Sequence, residues 1–492
     1  MCRKNLSLIQ SIIMTSLHTR IFFKFMIIGS ALLAMVLSSC IDDSISGSPA
    51  HQPSFSVDTL HMGTVFTDQV TTTYRMTVYN RNSEGIAIND IHLEGPNASL
   101  FRLNVDGMSG TRFSDVEIRA KDSIYVLVES TLPENGVDMP VDINADLVFV
   151  TAGVSQKVVI NAQGQDVVRL RHVTVDSDMR LTAGKPYQIF DSLVVAPGAT
   201  LTIEPGAKLC FHDGAPLIVR GTLKSLGTPE KMVNICGDRT GNVITDITFD
   251  LMSRQWPGIQ FAPSSHDNVI SHTSVRNTDY GVIVNGGEGA RDDASPMLTL
   301  INSQLRNSGD FVLEVYNADI LAAGCEFAEA ANGLVRLESG KQSFKQCTFA
   351  NYYLFSALGG PAIQFAAVKA EDVIQPGWKP TTAEFTNSII YGNGSSLSHG
   401  DLSGTGIFFR YCLLKESGSN DDNFIECLWD KDPLYYTVRE DYIFDYRLKP
   451  DSPAIGAGSA ALVLDIAKTD FYGRQRGSTP DVGAYVFTPP AD

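Results

Sequence analysis

Apolar and polar residues alternate along most of this chain in runs of only a few positions, each closed by Gly, Asn or Asp. From Val194 the pattern is insistent. VVAPGATLTIEPGAKLCF repeats its own phrase, Pro197-Gly198-Ala199 and then Pro205-Gly206-Ala207, and PLIVRGTLKSLGTPEKMVNI follows. Short runs return every one or two dozen residues, and none is long enough for an ordinary globular helix. That is the pattern of a solenoid of short strands, in which no single coil can bury its apolar face alone.

Further along, an internal repeat aligns. Its members are 270–277, 300–307, 323–327, 344–351, 385–393 and 411–414, with a small residue at Ser274, Ser303, Cys325, Cys347, Ser388 and Cys412. The steps are 29, 22, 22, 41 and 24 residues. A three-sided coil of about 22 residues accounts for most of them. The step of 29 implies an insertion, placed at 286–293. The step of 41 is either two coils or one coil with a long excursion over Val368 to Pro380. The small residues are expected inside, stacked coil on coil, with Asn at the turns.

Residues 54–165 are patterned differently. Tyr74–Asn80, Ile86–Leu93, Ile124–Val128, Asp146–Val150 and Gln156–Ile160 alternate, and Ala152-Gly153 marks a hairpin. About seven short strands in this length predict a β-sandwich. Gly63-Thr64-Val65-Phe66, Val78-Tyr79-Asn80 and Phe101-Arg102-Leu103 resemble phrases of immunoglobulin-like modules that accompany surface repeat domains. No cysteine is present to pin such a core. Residues 166–193 read as a linker and start cap.

The expected fold is therefore all-β: an N-terminal immunoglobulin-like β-sandwich followed by a right-handed parallel β-helix over 194–487. The handedness comes from resemblance. The phrases from Val194 through Trp256-Pro257-Gly258-Ile259-Gln260-Phe261 resemble right-handed parallel β-helix proteins of the pectin-lyase-like kind. Residues 446–458, Asp470-Phe471-Tyr472-Gly473-Arg474 and Asp481-Val482-Gly483-Ala484-Tyr485 resemble the closing module of many bacterial β-helices. That module commonly has Asp where this chain has Gly456, which puts one contact of its turns in doubt. The resemblance implies a cap over the end of the stack, and Asp470, Arg474 and Asp481 are read as turn and ion-pair residues.

The one long apolar run lies at the N-terminus. Arg20 and Lys24 precede 25–37, then Ser38, Ser39 and Cys40. A basic region, a short apolar region and small residues before a cut describe a secretory signal. The run is short for a bilayer-spanning helix, which takes about 20 residues. The LSSC ending resembles the bacterial lipobox, which implies removal of 1–39 and diacylation of Cys40; Met14 is an alternative start. Asp42 and Asp43 resemble the surface-export signal of Bacteroides-group lipoproteins. The expected place is the outer membrane, facing the cell exterior, with a periplasm-facing anchor as the alternative. The Ser-, Gly- and Pro-rich remainder of 40–53 reads as a tether.

Net charge is −17, and the first 39 residues hold four basic and no acidic side chains, leaving the rest at −21. Such a surface disfavours nucleic acid. The expected partners are the membrane, through the lipid, and a polysaccharide or surface protein.

No zinc, nucleotide or nucleophile motif is present. Beyond Cys2 and Cys40 the cysteines are Cys210, Cys236, Cys325, Cys347, Cys412 and Cys427, all in the solenoid. They read as buried structural residues, and Cys325 and Cys347, one coil apart, stand within reach of a bridge or of simple thiol stacking. Trp256, Tyr280 and Trp378, with Tyr316, Tyr352 and Tyr353, are candidate sugar platforms or core aromatics. Asp279, Glu288, Asp292, Asp293, Arg306, Asp310 and Glu314 are the candidates for acid–base chemistry. None recurs as a pair in successive coils, so no catalytic residue is assigned. No cofactor is expected; Ca²⁺ suits an acidic chain, but no motif supports it. The sequence favours a non-enzymatic glycan- or surface-binding scaffold over the alternative, a β-helix polysaccharide lyase or glycoside hydrolase.

Overall fold

A computed structural model describes residues 44–244, 247–288, 295–398 and 401–490. Cys40, Asp42, Asp43, Asp292 and Asp293 lie outside them. The chain forms two compact units. One draws on residues up to His61, Thr72–Ser130 and Asn144–Asn161; the other holds Met62–Thr71, Thr131–Ile143 and everything from Ala162.

In the N-terminal part, two sheets face each other. One contains Gly85–Glu94, Val141–Thr151 and Val154–Gln165; the other contains Tyr74–Tyr79, Ser123–Ser130 and Phe101–Val105. Alternation sends Ile86, Ile88, Met76, Val78, Val126, Val128, Leu147 and Phe149 inward, where all are buried. The rings of Phe55 and Phe149, one from each sheet, lie 4.7 Å apart. Ala152 and Gly153 both take positive φ, 48° and 80°, between the strands Val141–Thr151 and Val154–Gln165. That is what a two-residue hairpin turn requires.

The second unit is built of long parallel sheets, stacked as a β-helix requires. One sheet has 18 strands and the other 10. The register repeats at one coil: Leu298 pairs with Ile320, Ile320 with Gln342, and Leu313 with Val335. Each inward position thus stacks on its equivalent about 4.8 Å away. Phe344, Phe385, Phe409 and Phe424 form such a ladder, with centroids 4.8, 4.8 and 4.9 Å apart and rings nearly parallel. The step of 41 is a single coil, since Thr348 pairs directly with Ile389. Its extra residues leave the stack on either side of the strand Ile363–Ala366.

One corner of the coil carries a second ladder. Where the shorter sheet hands the chain to the longer one, His272, Asn302, Gly324, Gln346, Asn387, Tyr411 and Glu426 take φ between 42° and 68°. The next residue in each case is Thr273, Ser303, Cys325, Cys347, Ser388, Cys412 or Cys427. Each donates to the carbonyl two residues before it, from Ser303 Oγ to Ile301 O at 2.8 Å to Cys427 Sγ to Ile425 O at 3.6 Å. That carbonyl already accepts a backbone N–H from the preceding coil at 2.8 to 3.0 Å, and the small donor gives its second lone pair a partner inside the core. The sequence alignment therefore needs one correction: Thr273, not Ser274, is the equivalent of Ser303, because Ser274 pairs with Gln304. The ladder also runs one coil further, to Cys427.

The closing module lies elsewhere than the sequence implied. From Tyr435 onward it packs along the outer face of the long sheet. Tyr435, Tyr446, Leu448, Ala454, Phe471, Val482 and Tyr485 cover Ala328, Ala350, Ile389 and Leu413 from four successive coils. It is a strap along the flank. Its turns are held by carboxylates. Asp470 accepts from the backbone N–H of Tyr472, Arg474 and Val486 at 2.9, 2.8 and 3.0 Å, and Asp481 from those of Gly456 and Phe487 at 2.8 and 2.7 Å. The turn at Gly456 thus keeps a carboxylate partner, Asp481, without an Asp of its own.

Candidate functional site

Strands Val282–Asn285, Leu313–Tyr316, Val335–Glu338 and Ile363–Ala366 stack in the long sheet. Val282, Val284, Leu313, Val315, Val335, Leu337 and Ile363 point inward and are buried. Alternation therefore sets Glu314 and Tyr316 on the outer face. Register places Glu314 between Ile283 and Arg336, with Gln364 beyond; beside that column run Asn285, Tyr316 and Glu338. The result is a strip of polar side chains, one coil apart.

Its groups are already tied together. Tyr316 donates its hydroxyl to Glu314 at 2.6 Å. Arg336 lies 3.4 Å from Glu338 and 5.7 Å from the centre of the Tyr316 ring. Its side chain is 40% exposed, so its free guanidinium N–H groups face outward. Burial raises the Glu314 carboxyl above its ordinary value, the Tyr316 hydrogen bond opposes this, and the Asp310 charge adds to it. Burial likewise raises Tyr316, helped by Glu314.

At the corner beside the strip, Asp279, Asp310 and Asn332 each stand three residues before the paired Val282, Leu313 and Val335. Asn332 donates to the Asp310 carboxylate at 2.6 Å. Burial raises Asp279 too, with Arg254 opposing and Asp213 adding. Two excursions border the strip. In 352–362, Tyr353 bonds Ser253 at 2.7 Å and Gly359 N–H bonds Ala331 O at 2.7 Å. In 367–381, Trp378 Nε1 donates to Gly287 O at 3.2 Å.

The candidates of the sequence thus separate. Asp279, Tyr280, Asp310, Glu314 and Tyr316 belong to this flank, and Tyr280 is 48% exposed. Trp378 stands on its border. Trp256 does not belong: it is fully buried, stacks on Phe211 at 4.3 Å and donates to Arg276 O at 2.8 Å, so it is core and presents no platform. Arg306 also leaves the group. It pairs with Glu326 beneath the strap, where Tyr485 donates to the same carboxylate. The buried carboxylates Glu326 and Glu329 escaped the sequence reading. Setting the coils in register aligns Glu326 with Gln304 and Thr348, a signal that an acid stands where neutral polar residues suffice. The six solenoid cysteines are buried free thiols. Among the described residues no group of three or more His, Cys, Asp or Glu is placed to hold a metal ion, and no helix is long and apolar enough to cross a membrane.

No family model and no curated protein matches the chain. Among solved structures, a family 123 glycoside hydrolase from Clostridium perfringens is similar over 26% of this chain and 30% of that chain, with 8% identity and a TM-score of 0.18. The alignment thus spans less than a third of that enzyme, and a likeness this slight carries no argument.

Proposed function

We propose that the protein is a cell-surface lipoprotein that binds an extended glycan along the flank of a right-handed parallel β-helix, without cleaving it. In this reading Cys40 carries the lipid, Asp42 and Asp43 direct export, and an immunoglobulin-like sandwich spaces the β-helix from the outer membrane. The single observation that supports glycan binding is the strip of Glu314, Tyr316, Arg336, Glu338 and Gln364. It offers donors, acceptors and a ring at the spacing of the coils. A polymer lying across the strands meets a polar side chain, different in kind, at each of three successive coils, so weak contacts add.

A second reading, a glycoside hydrolase, has one observation in its favour. Glu314 is a carboxyl kept toward its protonated form beside Asp310, the state a general acid needs. Against it, the Glu314 and Asp310 carboxylates are both engaged by neighbours, Tyr316 and Asn332.

Retention of the purified full chain on a panel of acidic and neutral polysaccharides, with the eluate assayed for shortened products, separates the two. Binding without products supports the proposal; products lost in Glu314→Gln support the hydrolase. Membrane fractionation of Cys40→Ala checks the anchor, which predicts release into the soluble fraction; unchanged retention contradicts it.

A further inference from the structure

Six solenoid cysteines are free, and two stand apart from the rest. Cys325, Cys347, Cys412 and Cys427 sit in the corner ladder with their thiols on carbonyl oxygens. Cys210 and Cys236 lie on the outward face of their strands, where Phe66 and Val167 pack over them and keep both buried. In Lys208–Phe211 and Val233–Gly237, Leu209, Phe211, Val233 and Ile235 point into the core, so alternation turns both thiols outward. Cys210 and Cys236 are direct partners in register. Adjacent parallel strands run about 4.8 Å apart, inside the Cα separation a disulfide spans.

Their surroundings are also distinct. The pairing of Ile235 with Val275 puts Arg276 next to Cys236 in the same outward column, and Lys208 precedes Cys210 by two. Both cysteines border a cavity of about 260 Å³ with Phe66, Lys208, Arg239 and Asp250. The Cys210 hydrogen bond pulls the Cys236 thiol down against its burial, helped by Arg276 and Lys208, while Cys210 is pushed up. A thiolate beside two cations is the form that attacks disulfides. Cys427 is also pulled down by its neighbour Cys412, and an aspartate opposes each, Asp421 at Cys427 and Asp250 at Cys236, but only Cys236 has two cations, Arg276 and Lys208, drawing it down.

We propose that Cys210 and Cys236 form a redox site that closes to a disulfide between two successive coils. The oxidant is a disulfide of the thiol-exchange class. The Cys236 thiolate attacks one of its sulfurs, forming a mixed disulfide and releasing one thiol. The Cys210 thiolate, its proton gone to solvent, then attacks Cys236 Sγ and releases the second thiol. Two electrons pass from the protein thiols to the oxidant, and one S–S bond is exchanged for another. The closed form staples the first coils of the stack.

The full chain is equilibrated with glutathione disulfide, alkylated under denaturing conditions, digested with trypsin and mapped by mass. Cleavage after Lys208, Arg220, Lys231 and Arg239 places the two sulfurs on peptides 209–220 and 232–239. The expected product is these two peptides joined, with Cys325, Cys347, Cys412 and Cys427 alkylated. Cys210→Ser is expected to stop at a glutathione adduct on Cys236, the trapped intermediate. Full alkylation of both peptides after oxidation overturns the site. So does oxidation of the ladder cysteines to the same extent, which removes its selectivity. The experiment needs neither export nor a glycan, so it stands or falls apart from the proposed function.

Discussion

Tyr446 donates its hydroxyl hydrogen bond to Glu329, fixing a carboxyl group at the seam between strap and stack by a residue 117 positions later. Burial pushes Glu329 up to about 7 from 4.5, despite the Tyr446 bond and a backbone bond from Tyr352 N–H at 3.1 Å. The folded state therefore binds a proton that the unfolded chain has lost, and stability falls as pH rises. The contribution is complete below the ordinary carboxyl value and is lost as pH rises through about 7. The shift corresponds to a contribution on the order of 3 kcal/mol. Denaturant midpoints at pH 5 and pH 8 are expected to differ less in Glu329→Gln than in the parent; equal differences contradict the assignment.

Asp470 is buried and accepts three backbone N–H groups, and Arg476 beside it bonds the carbonyls of Ala467, Gly483 and Ala484 at 3.0, 3.1 and 2.7 Å. Asp470→Ala leaves those three N–H donors without their partner and removes the negative charge that favours the buried Arg476, at a cost of about 3–5 kcal/mol. Limited proteolysis is expected to cut the variant first within 459–487. Cleavage there at the parent rate contradicts the strap's dependence on Asp470.

In the aromatic ladder, Phe409 stacks between Phe385 and Phe424. Phe409→Ala removes a fully buried ring in a stack that cannot close on the gap, so a loss of about 3–5 kcal/mol is expected in denaturant unfolding. A loss below 1 kcal/mol contradicts this packing.

Gly324 occupies the left-handed corner with φ 68°, and a Cβ there would lie 2.0 Å from Asn302 Oδ1. The other corners accept side chains, so conformation alone is not the obstacle; the neighbouring coil's amide is. Gly324→Ala is expected to cost about 1–3 kcal/mol, and Asn302→Gly is expected to recover part of it. No recovery places the cost in the backbone alone.

Much of the stack was legible because its repeat is local. An inward residue, a left-handed turn and a small donor recur within each coil, and six ladder positions could be aligned with one slip at Ser274. The slip is physical: Thr273 and Ser274 are both small and polar, and only pairing distinguishes them. The 41-residue step has two readings for the same reason, since composition does not say whether 352–381 adds a coil or leaves one. What stayed hidden depends on distant contacts. Trp256 faces inward onto Phe211; Glu326 and Glu329 meet partners from a strap more than 100 residues away, and Arg306 pairs with Glu326 beneath it. The flank of Glu314, Tyr316 and Arg336 was half visible: Glu314 and Tyr316 were candidates, while Arg336 joined them only through the register.

The most direct test of the central proposal is the affinity of the full chain for the polysaccharide it retains best, against the double variant Tyr316→Ala, Arg336→Ala. Both residues are outward and partly exposed, so the unfolding midpoint is expected to shift little. The proposal predicts a dissociation constant raised at least about tenfold, roughly 1.4 kcal/mol, with no polymer shortened by either protein. Unchanged affinity at an unchanged midpoint, or products released by the parent and absent with Glu314→Gln, contradicts it.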